Sequence, residues 1–284
     1  MNETTVYQRR EQLKRMINGR GLGDAYSVTL DRIKVQGEGK SRLGIAALMW
    51  ISRSERPMGA EELCHALGVQ IGSTDTNVDN IPSIQTLLAS YLGLVTVDNE
   101  GSSLRLVHFT LQEYLNSRSD VFRNPYAVMA EVCLTYLNFN RIRELPPTLD
   151  NAPQNHPFLE HASCYWGHYV RNRTTEGVKS LALRLLDEFN CHISAKLLLH
   201  LHTPELYWEI VGRLPEGFTG LHCVAYLGID DIANALLDVK DWDVDKTDFV
   251  GRTPLIWASR NGCEGVIRLL LEKAGADVNT KDTA

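Results

Sequence analysis

The sequence predicts a mainly α-helical protein in three parts: a bundle of three helices with a β-hairpin, a helical connector and a helical repeat array. Apolar residues recur at helical spacing through most of the 284 residues. Two short alternating segments flank a turn at residues 98–101. Near the end of the chain, the sequence matches itself when it is shifted by 34 residues, which indicates stacked repeats.

The composition excludes several classes of protein. With 44% hydrophobic residues the chain can bury sizeable cores, so neither disorder nor a fibre is expected. The 29 Lys+Arg and 35 Asp+Glu residues leave a net charge of −6, which argues against a broad contact with nucleic acid or an anionic membrane. The longest apolar run, residues 43–51, is about half a membrane span. We therefore expect a cytoplasmic protein whose partners are proteins, with no nucleic acid and no membrane.

The first half has the pattern of a winged helix. Apolar periodicity predicts three helices and then two strands, at residues 43–54, 60–67, 82–92, 94–97 and 104–108. A DNA-binding winged helix needs basic residues on its third helix, but residues 81–92 contain no Lys or Arg. We therefore interpret residues 43–118 as a packing or regulatory module rather than a DNA-binding one.

A phosphate-binding loop is the first catalytic element to test. Residues 37–41, Gly-Glu-Gly-Lys-Ser, resemble the end of such a loop. Lys34, however, stands where the loop needs a glycine, and the residues before it have helical rather than strand spacing. We interpret residues 37–41 as a polar connector between helices.

Other catalytic and metal motifs are also missing from the sequence. It contains no G-x-S-x-G motif, and its six cysteines are at least 27 residues apart, which excludes the usual paired zinc ligands. His200 and His202 lie two positions apart on a predicted helix, where side chains do not face each other. The sequence predicts no catalytic residue, no metal and no cofactor, and hence no enzyme.

A helical connector is predicted over residues 119–213. Helices are expected at 126–139 and 158–170, separated by a loop with four prolines. Three further apolar segments have the pattern of degenerate helix pairs that lead into the repeats: residues 178–189, 194–201 and 205–214. Tyr165, Trp166 and Trp208 are expected in the core of this region rather than in a binding site.

Residues 214–284 contain two copies of a repeat and the start of a third. Five pairs recur at the 34-residue interval: Thr219/Thr253, Leu221/Leu255, Gly228/Gly262, Leu236/Leu270 and Asp243/Asp277. In the second copy, Thr253 is placed to cap a helix that begins at Pro254 and ends at Gly262. The pattern therefore predicts a helical hairpin in each copy.

This repeat has a recognisable family. Residues 248–279 closely resemble an ankyrin repeat, and residues 216–245 resemble a weaker copy. Two positions depart from the family pattern, because Gly220 replaces the usual proline and Ile256 replaces the usual histidine. The resemblance implies an α-solenoid that presents turn tips and one helix face to a protein partner.

The ankyrin register also implies which residues point outward to form a protein-binding surface: Phe218, Tyr226, Leu227, Phe249, Val250, Arg252, Arg260 and Asn261. The alternative is that these residues pack against neighbouring repeats or an adjoining stretch of the chain. Residues 217–284 carry seven basic and eleven acidic side chains, which argues against nucleic acid as the partner of this surface.

A wider resemblance joins the two halves of the chain. Five stretches resemble fungal NACHT-ankyrin proteins, signal-transducing NTPases related to NOD-like receptors: residues 21–33, 51–67, 106–115, 133–137 and 161–168. The resemblance implies that residues 1–42 are the helical tail of a NACHT-type module and that the winged helix is of the type labelled after GPI inositol-deacylases. It also implies an intramolecular contact with a NACHT core, which is not found before residue 9.

The same resemblance gives one residue a role. His108, at the end of the second wing strand, resembles the histidine that reaches from the winged helix to the phosphate of a bound nucleotide and holds the off state. An imidazole can donate a hydrogen bond to a phosphate oxygen. The alternative is a histidine packed between the wing and the helix that follows it.

Two functions follow from the sequence. The first is a non-catalytic protein-interaction module, with an ankyrin sensor and a regulatory winged helix from a NACHT-type signalling protein. The alternative is the regulatory end of an NTPase that is active only with a nucleotide-binding core supplied elsewhere. Asp282 lies 34 residues after Asp248 and opens a further repeat that breaks off, so we expect a truncated product or fragment whose last repeat frays.

Overall fold

A computed structural model describes residues 20–98, 103–147, 152–202 and 215–280. These residues form two compact units. The described residues up to 67, together with 82–123, make up the first unit, and residues 68–81 and those from 124 onwards make up the second. In the described ranges, no helix is both long and apolar enough to cross a membrane.

The first unit contains helices and one small antiparallel sheet. Its helices are α1 (Arg20–Lys34), α2 (Glu38–Arg53), α3 (Ala60–Gly68), α4 (Ile84–Ser90) and α5 (Phe109–Ser117). Its strands are β1 (Met58–Gly59), β2 (Val95–Val97) and β3 (Ser103–Leu106). The strand order is β1-β3-β2, and Leu104 of the central strand lies opposite both Met58 and Val97. Three helices and a hairpin were predicted here, and the structure confirms the winged helix.

The core of the first unit is built from the apolar faces of these elements. Its most buried members come from all the helices that surround the sheet and from β3: Ile33, Leu48, Trp50, Leu63, Leu87, Leu104, Leu111 and Leu115. Helices α2 and α4 approach closely at Gly44, where a Cβ would lie 2.6 Å from the Ser90 carbonyl oxygen. Only glycine allows this approach without a shift of the backbone.

Two details of the first unit differ from the sequence prediction. Residues 38–41 form the first turn of α2 rather than a connector, because Gly37 adopts a φ of +92° and lets the helix begin directly after it. Strand β1 was not predicted, since two residues are too short to show an alternating pattern. Residues 37–41 follow helix α1, not the buried strand that precedes a phosphate-binding loop.

The second unit is entirely helical over the residues that the structure describes. It contains α6 (Pro125–Leu137), α7 (Asn140–Arg143), α8 (Ala152–Asn155), α9 (Leu159–Asn172), α10 (Glu176–Leu186) and α11 (Ile193–His202). It continues with α12 (Gly220–Leu227), α13 (Asp230–Val239), α14 (Pro254–Arg260) and α15 (Glu264–Arg268), and α15 runs into a π-helical turn, Leu269–Lys273. Short 3₁₀ turns lie at Val78–Asn80 and Phe189–Cys191.

The helical connector is packed around α6 and α9. Trp166 is fully buried and Tyr165 is half-buried, so the expectation that both belong to the core is met in full only by Trp166. Trp208 and the predicted helix at 205–214 lie outside the described residues. Residues 68–81 join this unit through a backbone hydrogen bond, in which Asn140 N–H donates to the Thr74 carbonyl at 3.0 Å.

Capping residues set where the helices of the repeat hairpins begin and end. Thr253 caps α14 by accepting a hydrogen bond from the Ile256 N–H at 3.3 Å. Gly228 and Gly262 follow the first helices of the two hairpins with φ values of +64° and +65°. These left-handed positions end the helices, as predicted.

Gly220 has a physical reason to replace the proline of the ankyrin pattern. It begins α12 where that helix meets the end of α10, and a Cβ at this position would overlap the Leu186 carbonyl oxygen. Any larger residue would force the two helices apart. The close packing of α12 on α10 therefore explains why position 220 is a glycine and not the usual proline.

Candidate protein-interaction surfaces

The structure buries half of the residues that were predicted to point outward from the repeats. Phe218 is 0% exposed, Arg252 3%, and Leu227 and Val250 8% each. The prediction that these four residues form part of an exposed binding surface is wrong, because other parts of the second unit cover them; Leu227, for example, lies against Gly167 of α9. The alternative, packing against neighbouring repeats or an adjoining stretch of the chain, holds for this group.

Phe218 shows why these side chains turn inward. Its ring packs against Phe189, His222 and Trp257, with centroid distances of 6.3, 5.7 and 5.8 Å. Gly217, with a φ of +77°, turns the chain toward this cluster just before the helix begins. The aromatic ring therefore anchors the start of α12 on its neighbours instead of meeting a partner.

The remaining predicted residues lie at the surface of the repeats. Tyr226 and Phe249 are half-buried, and Arg260 and Asn261 are exposed. Asn261 Nδ2 donates to the Tyr226 carbonyl at 3.1 Å, and the Tyr226 ring packs edge-on against Trp257 at 5.3 Å. Tyr226 and Asn261 are thus in contact, and we call these two residues, together with the exposed Arg260 that precedes Asn261 in the chain, the repeat surface.

The turn before α14 is organised by a buried carboxylate that the sequence analysis did not single out. Asp248 Oδ1 accepts hydrogen bonds from the backbone N–H groups of Val250 and Arg252, at 3.0 and 2.9 Å. Its other oxygen, Oδ2, accepts from Trp257 Nε1 at 2.7 Å. The Arg252 guanidinium lies over the Trp257 ring at 4.8 Å. Arg252 is therefore part of the scaffold of the repeats.

His222 connects the first of these hairpins to the turn that precedes the next. Its Nδ1 accepts a hydrogen bond from the Thr219 N–H at 3.1 Å, which assigns the ring proton to Nε2. Nε2 in turn donates to the carbonyls of Lys246 at 3.0 Å and Arg252 at 3.2 Å. Burial in this apolar setting lowers the pKa of His222 well below its usual range, so the ring is neutral at pH 7.

The winged helix presents a groove of about 370 Å³ between β3, the start of α5 and the end of α2. Its lining combines apolar and charged side chains: Ile51, Glu55, Arg56, Pro57, Leu104, Arg105, Leu106, His108, Phe109 and Gln112. Arg56 is held by two hydrogen bonds to Glu62, at 2.9 and 2.7 Å, and Phe109 is 67% exposed. The predicted nucleotide-sensing residue, His108, is part of this lining.

His108 lies at the edge of this groove and is exposed. It caps helix α5, because its Nδ1 accepts a hydrogen bond from the Thr110 N–H at 3.2 Å. Its ring also packs against Phe109, with a centroid distance of 4.5 Å. The side chain is therefore not enclosed between the wing and α5, and its local role is to begin that helix.

Of the two residues weighed as metal ligands, the structure describes the side chain of one. His200 is exposed, and the side chain of His202 lies outside the described residues. Within the described part of the chain, no group of three His, Cys, Asp or Glu side chains could hold a metal ion. The cysteines are all free thiols.

The comparisons with known proteins agree with this architecture. Residues 177–282 match ankyrin repeats, in three copies, and residues 30–128 match the winged helix domain of GPI inositol-deacylase. The match to ankyrin repeats begins in α10, within the segments interpreted above as degenerate helix pairs that lead into the repeats. Comparison with curated proteins and with solved structures gives no match.

The class of protein is thus defined by its parts. The chain contains a winged helix of the GPI inositol-deacylase type followed by ankyrin repeats. Ankyrin repeats typically serve as protein-interaction modules, which suggests this role for residues 177–282. The fold and the comparisons together define a winged-helix, ankyrin-repeat protein.

Proposed function

We propose that this protein is a non-catalytic interaction module that binds a protein partner through its ankyrin repeats. The observation that carries this proposal is the repeat surface, where Asn261 bonds to the Tyr226 backbone across two successive hairpins and the neighbouring Arg260 is exposed. Tyrosine and arginine are the residue types that most often anchor protein interfaces. The hydrogen bond from Asn261 and the packing of the Tyr226 ring on Trp257 hold Tyr226 in place before a partner binds.

A site-specific cross-linking experiment tests this function on the full chain. A photoreactive amino acid is placed at Arg260, and a matched variant carries it at Arg184, an exposed position on α10. We expect a discrete adduct with one protein from Arg260 and none from Arg184. The proposal is rejected if both positions give the same adducts, or if Arg260→Glu leaves binding of the identified partner within about twofold of the wild type.

We further propose, from the resemblance to NACHT-ankyrin proteins, that the winged helix has a regulatory role in a cytoplasmic signalling protein. The exposed position of His108 beside the wing groove supports this alternative, in which the chain is the regulatory end of an NTPase whose core is supplied elsewhere. A nucleotide-binding core of the NACHT type would then contact the groove, and His108 would meet the nucleotide phosphate.

An ATPase assay separates this alternative from the interaction module. Turnover by an isolated NACHT core is measured alone, with the wild-type chain and with the His108→Ala variant. The regulatory role predicts that the wild-type chain changes the rate and that the variant does not. If the ATPase rate is the same in all three samples, the regulatory role is rejected and the proposal of an interaction module remains.

A further inference from the structure

The central strand of the small sheet has an edge that is only partly paired. β1 pairs with the first two residues of β3, Ser103 and Leu104, whereas β2 pairs with residues 104–106. Pro57, which precedes β1, has no N–H group with which to extend the ladder. Within the described residues, Arg105 and Leu106 therefore have a partner strand on one side only. We call these two residues the open edge.

The backbone of Leu106 faces the open side of the strand. The Ser103 carbonyl accepts a hydrogen bond from the Asp98 N–H at 2.8 Å, on the side of β2. The Val107 N–H donates to the Leu94 carbonyl at 3.1 Å, on the same side. Because the backbone groups of successive residues in an antiparallel strand point to alternate sides, the N–H and C=O of Leu106 point away from β2. A further strand would pair with both groups.

The wing groove lies along this open edge, since Pro57, Arg105 and Leu106 all line it. Its volume is about 370 Å³. An α-helix about 10 Å in diameter would use up this volume in less than about one turn, so the groove is too small for a helix. An extended chain is thinner, because neighbouring strands lie only about 4.8 Å apart. The shape of the groove and the backbone groups of Leu106 both favour an extended segment.

One face of such a segment would be apolar. Leu104 and Leu106 are two positions apart on β3, so their side chains share a face of the sheet. Leu104 is buried and Leu106 is half-buried. Phe109, in the lining of the same groove, is 67% exposed. An apolar side chain opposite Leu106 would cover both surfaces.

The charges of the wing groove favour an acidic residue on the other face. The lining holds two guanidinium groups and one carboxylate, those of Arg56, Arg105 and Glu55. Glu62 already holds Arg56 through two hydrogen bonds. Arg105 pairs with Asp98 at 3.1 Å, but its side chain remains 59% exposed. Its guanidinium therefore has room for a second carboxylate.

We propose that the open edge binds an extended segment of a protein partner in which apolar and acidic residues alternate. The segment lies antiparallel to β3 beside Leu106, so that it continues the ladder where β1 stops. A helix would leave the Leu106 backbone groups unpaired, because its own N–H and C=O groups bond within the helix. The proposal goes beyond both proposed functions, since it needs neither the repeat surface nor a nucleotide-binding core. The contact is short, so we expect a dissociation constant on the order of 100 µM.

Fluorescence anisotropy of the full chain with two labelled peptides tests this proposal. One peptide is Thr-Glu-Val-Glu-Val-Glu-Thr, and the other has lysine in place of each glutamate. The lysine peptide is expected to bind at least about tenfold more weakly, because its ammonium groups meet Arg105. Phe109→Ser is expected to weaken binding of the glutamate peptide at least about fivefold. Val28→Ser, at a 54% exposed position on α1 outside the groove lining, is the matched control and is expected to leave binding unchanged.

Backbone methylation of the glutamate peptide then tests the strand pairing. With a valine opposite Leu106, the valine N–H groups point toward β3 and the glutamate N–H groups point away. N-methylation of the valines is therefore expected to weaken binding at least about tenfold, and N-methylation of the glutamates to leave it nearly unchanged. Equal affinities of the two methylated peptides would overturn the strand pairing. Circular dichroism of each protein variant confirms that the fold is kept.

Three further outcomes overturn the proposal as a whole. They are no binding of the glutamate peptide up to about 1 mM, equal affinities of the glutamate and lysine peptides, and equal effects of Phe109→Ser and Val28→Ser. Sedimentation equilibrium adds a fourth test, because self-association of the wild type that Phe109→Ser abolishes would assign the open edge to a second copy of the chain. The repeat surface is not altered in any of these variants, so the proposed function is tested separately.

Discussion

The imidazole of His222 donates from Nε2 to the backbone carbonyl of Arg252, 3.2 Å away and 30 residues later in the chain. The same nitrogen lies 3.0 Å from the Lys246 carbonyl, so one buried side chain satisfies two carbonyls of the turn between hairpins. Such carbonyls need a partner when they are buried. The stacking of the hairpins therefore depends on a polar contact as well as on apolar burial.

Replacement of His222 by leucine is expected to destabilise the protein by about 2–4 kcal/mol, because the buried Arg252 carbonyl and the partly buried Lys246 carbonyl both lose their donor. Chemical denaturation followed by circular dichroism measures this change. His200→Leu, at an exposed position on α11, is the control and is expected to change the stability by less than about 0.5 kcal/mol. Equal effects of the two substitutions would contradict the role assigned to His222.

The stability of the protein is expected to fall on mild acidification. Burial lowers the pKa of His192 to about 4, and it lowers the pKa of His222 in the same direction. Because the unfolded chain binds a proton near pH 6.5 and the folded chain does not, the stability from these neutral rings is complete above pH 6.5. It is lost as the pH falls from about 6.5 toward 4.

Denaturation curves between pH 7.5 and about 4.5 measure this dependence. His192 accepts a hydrogen bond at Nδ1 from the Ser194 N–H and lies 3.0 Å from the Leu137 carbonyl through Nε2, so His192→Gln is a conservative test. The variant is expected to show a shallower loss of stability over this range. A slope identical to that of the wild type would show that another group titrates instead.

The pairing of Asp248 with Trp257 is expected to couple the turn before α14 to that helix. In a double-mutant cycle of Asp248→Asn and Trp257→Phe, we expect a coupling energy of about 1–2 kcal/mol, because the carboxylate accepts the indole N–H in a buried place. Urea denaturation of the four proteins gives this energy. Additive effects of the two substitutions would assign their influence to packing alone.

The sequence predicts the regular elements better than it predicts which residues face solvent. Helices α3 and α4 lie within a few residues of their predicted places, because their apolar residues recur on one face. Phe218 and Val250 were placed outward, because the repeat interval aligns positions but does not show how closely the hairpins stack. Asp248 was missed as a structural residue, although its recurrence as Asp282 was a signal that the repeat retains it.

The two glycines of α2 provide a matched test of the winged-helix core. A Cβ at Gly44 would lie 2.6 Å from the Ser90 carbonyl oxygen, whereas a Cβ at Gly39 would meet nothing within 4 Å. Gly44→Ala is expected to destabilise the unit by about 2 kcal/mol or more through the overlap with α4. Gly39→Ala is expected to be neutral or to stabilise by up to about 1 kcal/mol, because alanine favours the helix. Thermal denaturation of both variants distinguishes the outcomes, and equal effects would contradict the close approach of α2 and α4.

The cap that His108 provides can be separated from any role in nucleotide sensing. His108→Ala is expected to destabilise the winged helix by about 1 kcal/mol, because the Thr110 N–H at the start of α5 loses its acceptor. His108→Asn keeps a side-chain acceptor for the cap and is expected to retain most of the stability. Asparagine lacks the Nε2–H group of the imidazole, which is the donor that would reach a phosphate oxygen. A nucleotide effect that is lost in His108→Asn, in a protein of wild-type stability, would therefore belong to the imidazole itself, whereas an effect retained in this variant would belong to the cap.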